Sequence, residues 1–507
     1  MKKMLIYMIL IFACGTGYAV TNYFVWKDNP SPQSPFTNWA MAATNIQDAV
    51  DLTLDGDTVI VTNGVYDTGG KLDTLGIGNT ITNRVNISKA ITLRSANNDP
   101  TNTIIKGRFD TGEPGAPGTV TNGPAAIRCV FAGSGPTLIG FTLTNGATQA
   151  YQAYSAGGGH SYYGGGARVG NMIISNCIIT GNSAGNKGGG AYGGSLYNCR
   201  LIGNSVQSPS SAASPAGGGG AAECVMSNCT LIGNSSGTDG GGAYISTLRS
   251  CTLTGNSAGN NGGGHYNSTL YNCTLTSNSA SAAGAGGRDG KLYNCTVTGN
   301  LGIGQYKGSL FNCTITSNTG GGVRSAIIVS NCIIIGNSTV GNGGGVYGSP
   351  MYNCLVVGNS AGDHGGGMSE LSHLPVVNCT IIGNSAGSRG GGVSWCYAMT
   401  NCIVYFNTTT SSVNPTSSNC YSGVGQYTCT APLIAGSGNT DVNPMLVNTN
   451  AGNYRLGPNS PCVNTGTNQL GWMANSLDLD ERMRIRYSTV DMGAFERIYS
   501  GAIFSIH

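Results

Sequence analysis

Along most of this chain, apolar residues recur at fixed distances from a cysteine. The cysteines are Cys177, Cys199, Cys229, Cys251, Cys273, Cys295, Cys313, Cys332, Cys354, Cys379 and Cys402. Half of the neighbouring pairs in that series are 22 residues apart, and the rest are 18 to 30 apart. Five residues after each stands an asparagine: Asn182, Asn204, Asn234, Asn256, Asn278, Asn300, Asn318, Asn337, Asn359, Asn384 and Asn407. An aliphatic follows each cysteine by two (Ile179, Leu201, Leu275), and an apolar residue precedes it by three (Ile174, Leu196, Met226). Strand side chains alternate with period two, so the cysteine and the aliphatic share one face of a strand. The preceding apolar residue has the wrong parity for that strand. A bend must lie between, and the residue just before the cysteine is Asn in every coil but one, where it is Ser250. Asn tolerates left-handed backbone, as such a corner requires.

A second corner is expected at the pair ending in the ladder asparagine, such as Gly255-Asn256. A third strand is expected after the glycine runs, as at Gly240 to Gly242 and Gly343 to Gly345. Three short strands and three corners then close one coil. No coil buries its apolar positions alone, so coils must stack in parallel register. The stacked Asn amides should hydrogen-bond along the stack. Val206 to Ala216, rich in Ser, Ala and Pro, reads as a loop that lengthens one coil. Propeller blades and leucine-rich repeats do not fit the period. The pattern predicts an all-β chain: one right-handed parallel β-helix, three-sided, with a helical cap at the N-terminal end and a β cap at the C-terminal end.

Composition narrows the partners. Charged residues are 9% of the chain, against about 25% in globular proteins generally. Net charge is +3 with no Lys/Arg-rich run, so nothing supports nucleic-acid binding. Lys2 and Lys3 precede the apolar run Met4 to Ala13, with small residues at Gly17 and Ala19. This reads as a signal peptide over 1–19, cleaved before Val20, in preference to lipidation at Cys14. The run is too short for a membrane-spanning helix. The product is expected to be secreted or displayed on the outer cell surface as a monomer.

The organisation expected is a signal peptide at 1–19, a β-helix at 20–430 with its N-terminal cap over about 20–100, and a capping region at 431–507. Ile46, Ala49 and Val50 fall on one face at helical spacing with Asn45 as N-cap, predicting a short helix over Asn45 to Leu54. The C-terminal region gathers Asp478, Asp480, Glu481, Arg482, Arg484, Arg486, Asp491, Glu496 and Arg497. A solvated, ion-paired cap is the reading preferred over a metal or glycan site. In-register ladder cysteines would have Cβ atoms about 4.8 Å apart, against about 3.8 Å for a disulfide, so they read as buried thiols. Cys420 and Cys429, outside the ladder, are the expected disulfide. No metal site is expected, since no His recurs with the cysteines.

Several stretches resemble known families. Gly240-Gly241-Gly242-Ala243 followed by Cys251 to Asn256 resembles the polymorphic outer-membrane protein repeat, with Cys where that repeat has Phe. Asn45 to Val50 followed by Gly56 to Val61 is similar to the N-terminal cap of pectin-lyase-like proteins, and Leu138 to Gly146 is similar to a regular coil of that superfamily. Asn443 to Leu446, Tyr454 to Leu456 and Asp491 to Glu496 resemble the choice-of-anchor Q proteins. These resemblances imply a surface-associated β-helix. They imply polysaccharide lyase or glycoside hydrolase activity more weakly. Such proteins often carry a C-terminal sorting signal that is not seen before His507, leaving the mode of attachment open.

Two aromatic stripes are the ligand-binding candidates. Tyr192, Tyr244, Tyr266 and Tyr347 follow glycine runs. Tyr197, Tyr271, Tyr293 and Tyr352, with Phe311, stand two residues before ladder cysteines. Parity points both outward, where rings either stack on each other or contact sugar rings. The pectin-lyase resemblance implies, for a lyase, a basic residue with carboxylates holding calcium. Arg288, Lys307 and Arg324 are the nearest match, with Asp289 the one carboxylate beside them, and no cofactor other than that calcium is expected. Convergent polar groups are too few there to favour catalysis. The expected function is non-catalytic: adhesion or glycan binding along the rod, with a polysaccharide or cell-surface glycan as partner. The alternative is a polysaccharide lyase or glycoside hydrolase.

Overall fold

The structure is a computed structural model, and it describes residues 20–72, 81–110, 122–133, 135–150, 161–207, 216–371, 373–410, 418–468, 476–485 and 489–497. The expected signal peptide, most of the Val206 to Ala216 loop and Arg486 lie outside them. The fold is a parallel β-helix. One parallel sheet runs through fifteen strands, from Gly64–Tyr66 to Cys429–Thr430, each paired in register with its equivalent one coil away. At about 4.8 Å per coil that stack is roughly 70 Å long.

Each regular coil holds four strand segments rather than three. In one coil they are Ala191–Tyr192, Ser195–Tyr197, Arg200–Ile202 and Ser205–Val206. The fourth, just after the ladder Asn, is only two residues long. It carries no large apolar residue in most coils, so it left no mark in the hydrophobic pattern. The residue before every ladder cysteine is left-handed, from Asn176 (φ 50°) to Asn401 (φ 52°), and Ser250 adopts the same conformation at φ 52°. The residue before each ladder Asn is left-handed too, usually Gly, as at Gly255 (φ 61°).

The core is a bundle of inward columns. Leu196, Met226, Leu248, Leu270, Leu292 and Leu310 stack on one wall, and Leu201, Leu231, Leu253, Leu275, Val297 and Ile315 on the next, all fully buried. The ladder cysteines are buried and free. Their backbone N–H groups point at the sulfur of the coil above, as from Cys251 N to Cys273 Sγ at 3.4 Å. Each Sγ–H donates to the carbonyl two residues back, as from Cys273 to Tyr271 at 3.2 Å. The Asn ladder is continuous. Asn278 Nδ2 donates to Asn300 Oδ1 and to the Leu253 carbonyl, both at 3.0 Å, while its Oδ1 accepts from Asn256 N and Nδ2, also at 3.0 Å. The ladder extends one coil beyond the cysteines, to Asn419. Glycine is required beside it: a Cβ on Gly263 would lie 2.1 Å from the Ser279 carbonyl oxygen.

The N-terminal helix, α1, spans Ile46–Leu52 with Asn45 as its N-cap, accepting from Asp48 N at 3.0 Å. Three expectations need correction at the other end. Cys420 and Cys429 are not joined: Cys420 begins the strand Cys420–Gln426 in the main core, whereas Cys429 pairs into a different sheet and packs with Cys462. Seven extended residues and a left-handed corner at Tyr427 hold the two thiols apart. Secondly, the C-terminal charges are ion-paired but only in part solvated: Glu481 is exposed and Asp480, Arg482 and Arg497 are half-buried, while four others are buried. Arg484, Asp478, Asp491 and Glu496 are at most 5% exposed. Arg484 Nη1 meets Glu496 Oε1 at 3.0 Å, and Asp478 accepts from the backbone of Asp480, Arg482 and Glu496. Burial pushes the Glu496 carboxyl up to about 8 despite that arginine. Thirdly, this region does more than close the end. Asn353 Nδ2 donates to the Leu477 carbonyl, Ala494 N to Thr380 Oγ1 and Gly493 N to the Asn401 carbonyl, and Phe495 packs on Leu355 and Val357. The C-terminal segment is a brace laid back along the outside of the last coils.

Candidate functional site: an aromatic and cationic strip along one flank

The positions of the first strand segment that alternate with the core columns make one unbroken column, in which Phe131, Ala222, Tyr244, Ser369 and Ser394 are buried and the others half-buried, so Tyr244 does not face solvent as its parity predicts. Following the strand register, it reads Phe131, Arg168, Tyr192, Ala222, Tyr244, Tyr266, Arg288, Tyr306, Arg324, Tyr347, Ser369, Ser394 and Tyr421. The Tyr stripe and the lyase candidates Arg288 and Arg324 are therefore one feature. Both arginines stand at the offset from their glycine runs that Tyr holds elsewhere, a signal present in the sequence but masked by the change of residue type. Tyr306 belongs to the column as well and was missed because its glycine run is broken. Lys307 is the corner residue after it, with φ 58°.

The guanidinium groups lie on rings. Arg324 is 4.2 Å from the Tyr347 centroid, Arg288 5.3 Å from Tyr306, and Lys307 5.7 Å from Tyr306. Tyr244 and Tyr266 stack at 5.5 Å and 7°. On the second segment, Tyr271 stacks on Tyr293 at 5.0 Å, Tyr293 on Phe311 at 5.1 Å, and Arg249 covers the far face of Tyr271 at 4.3 Å. Ring faces in these runs are thus taken up along the rod axis by other rings and by cations. Phenol hydroxyls and guanidinium N–H groups are the polar groups that these side chains carry on the flank. Tyr197, flanked in register by Ser175 and Ser227, is the most exposed of the second stripe at 40%. Tyr352, half-buried, has Ser330 and Val377 as its register neighbours.

Carboxylates border the column. Residues 161–430 contain five: Glu223, Asp239, Asp289, Asp363 and Glu370. Glu223, Asp289 and Glu370 are corner residues immediately after column positions, at φ 56°, 56° and 61°. Asp239 lies on the turn before a glycine run, and Asp363 beside His364 on an equivalent turn. Lys187 Nζ meets Glu223 Oε1 at 2.8 Å, and the Tyr192 hydroxyl donates to Glu223 Oε2 at 2.8 Å. Against the burial that would raise it, Lys187 and Tyr192 hold the Glu223 carboxyl below its ordinary value. Burial pushes the Tyr244 hydroxyl up to about 12. Arg288 bonds the Asn261 amide oxygen, Asn261 Nδ2 donates to Asp239 Oδ1 at 2.9 Å, and Arg288 Nε lies 3.4 Å from Asp289. The strip thus offers paired charges and hydroxyls on a rigid sheet.

For the calcium that the lyase resemblance implies, the donor set does not fit. Asp289 is the one carboxylate at Arg288, and among the described residues no three His, Cys, Asp or Glu side chains gather at one point. Among the described residues no helix is long and apolar enough to cross a membrane.

No family model matches the chain, and no curated protein matches it. Among solved structures it is similar to pectate lyase Pel9A, at 13% identity over 95% of this chain and 98% of that one, with a TM-score of 0.26. It is similar to a mannuronic acid specific polysaccharide family 6 lyase from human gut microbiota, at 10% identity over 74% and 86%, with a TM-score of 0.28. A third is the mannuronan C-5 epimerase AlgE4 A-module of Azotobacter vinelandii, at 11% over 82% and 96%, with a TM-score of 0.26. The class, a parallel β-helix protein, is read from this chain's own strand register.

Proposed function

We propose that this is a carbohydrate-binding β-helix that holds an extended acidic polysaccharide along the strip. The observation that carries the reading is the placement of Arg288 and Arg324 in one column two coils apart, with Lys307 at the coil between. Two coils span about 10 Å, close to the advance of roughly two sugar units. A polymer with a carboxylate on alternate sugars then meets a guanidinium at each repeat, and a guanidinium matches a carboxylate better than a point charge does. Between 287 and 347 this column and its corners carry those three cations against Asp289 alone. Ring contact fixes the guanidinium groups before a ligand arrives, which lowers the ordering cost of binding. Adhesion through such a polymer at a cell surface follows if the chain is exported.

A second reading, a lyase on the same polymer, rests on Asp289 standing beside Arg288, 3.4 Å from its Nε. In it Lys307 or Arg288 takes the proton next to a sugar carboxylate. One assay separates the readings. Affinity electrophoresis in polygalacturonate, alginate and neutral glucan gels should show retention by the acidic polymers that salt weakens. New unsaturated ends in the same mixtures, seen by ultraviolet absorbance, would establish the lyase; absence of retention in every gel would end the binding proposal.

A further inference from the structure

We propose that the first coils carry a separate subsite for a neutral sugar ring, held between the indoles of Trp26 and Trp39. The two arrive from different elements. Trp26 follows the strand Asn22–Val25, its N–H donating to the Ala43 carbonyl at 2.8 Å. Trp39 opens the short 3-10 helix Trp39–Met41, whose cap Asn38 accepts from Met41 N at 3.0 Å. Phe24 meets the Trp39 ring edge-on at 4.6 Å, which fixes its orientation. The loop between them is tied back to the first strand by Phe24 N to the Phe36 carbonyl and Ala43 N to the Phe24 carbonyl.

Despite this anchoring the indoles stay 38% and 41% exposed, although the chain has only four tryptophans. They line an open cleft of about 590 Å³ together with Thr62, Asn63, Ala96 and Asn97. That volume is within the range of about 300–1,000 Å³ that small-molecule sites occupy. Among the described residues no charged side chain lines it, which distinguishes it from the strip. The amide oxygens of Asn63 and Asn97 are engaged, by Thr103 Oγ1 and Asp99 N. Their Nδ2 groups and both indole N–H groups make no hydrogen bond among the described residues. The residues lining the cleft therefore bring it two exposed indoles and four donors without a partner among the described residues. A pyranose ring supplies the complement: apolar C–H faces for the indoles, and ring and hydroxyl oxygens for the donors. An acidic sugar would desolvate its charge with no cation to meet it.

Register places the cleft at the corner that follows Val25, Val61 and Ser95, away from the column of Arg288 and Arg324. Titration of the full chain with cellohexaose, xylohexaose, mannohexaose and chitohexaose, read by tryptophan emission, tests the proposal. At least one should give a saturable shift that Trp26→Ala or Trp39→Ala weakens at least tenfold, while Arg288→Gln with Arg324→Gln leaves it unchanged. The same sugar should protect Trp26 and Trp39 of the parent from N-bromosuccinimide, a readout that needs no variant to fold. The proposal is overturned if none of the four shifts the emission, if the shift survives in the double Trp variant, or if polygalacturonate alone protects the two indoles.

Discussion

At the scale of single residues, the most telling position is His265. It continues an inward column of Ala191, Ala221 and Ala243, and is fully buried. Its imidazole fits because the next coil has Gly287, where a Cβ would lie 2.0 Å from Nε2; across that gap it meets Gln305 Oε1 at 3.2 Å. Burial lowers its pKa to about 4, from the usual 6.5. The folded chain therefore keeps His265 neutral where the unfolded chain takes up a proton. This contribution to stability is complete above pH 6.5, falls as pH drops from 6.5 to about 4, and is flat below. The loss is at most about 3 kcal/mol. Denaturant midpoints at pH 7 and pH 4.5 should differ more for the parent than for His265→Gln; equal differences would show that the imidazole is not held neutral. Such residue-scale features were the least legible in the sequence. A buried His paired across a glycine has no periodic signature, and Arg at a Tyr position reads as a lapse in the stripe until register joins them.

At the scale of the element, legibility was high, because the coil obeys a few steric rules. The corners before the ladder cysteines are held by Asn or Ser in left-handed backbone, the two main buried walls by aliphatic and Met side chains, and the repeat multiplies each signal. The two-residue segment after the ladder Asn, such as Ser279–Ala280, escaped notice since small residues on a short strand leave no alternation to read. The inward and outward faces are testable on adjacent residues. Cys273 is 1% exposed between equivalent thiols, so Cys273→Asp places an unpaired carboxyl in the core and should cost about 3 kcal/mol or more. Thr274, the next residue, faces outward and is partly exposed, so Thr274→Asp should cost less than about 1 kcal/mol. Equal losses in urea denaturation would reverse the assignment of faces.

At the scale of the whole molecule, the rod is held at its C-terminal end by a segment whose place the sequence did not reveal. Charge clustering located Arg484, Asp491 and Glu496 but suggested a wet surface. Their burial depends on contacts with Thr380, Asn401 and Asn353, more than sixty residues away in sequence, and no local pattern encodes such contacts. Phe495→Ala empties a site against Leu355 and Val357 and should cost about 3–5 kcal/mol locally. Limited proteolysis should then cut first within 476–497 while the coils stay protected; cleavage spread evenly along the chain would mean that the brace and rod fold as one unit.

The strip itself is a whole-molecule property, since it exists only when coils stack in register. Its central claim is that cations two coils apart, not ring faces, hold an acidic polymer. The direct measurement is the affinity of the parent and of the Arg288→Gln, Arg324→Gln double variant for polygalacturonate at low and moderate salt, with melting temperature as the control for folding. Loss of two charge-assisted contacts should weaken binding at least tenfold and flatten its salt dependence at unchanged melting temperature. Equal affinity and equal salt dependence in the two proteins would contradict the account.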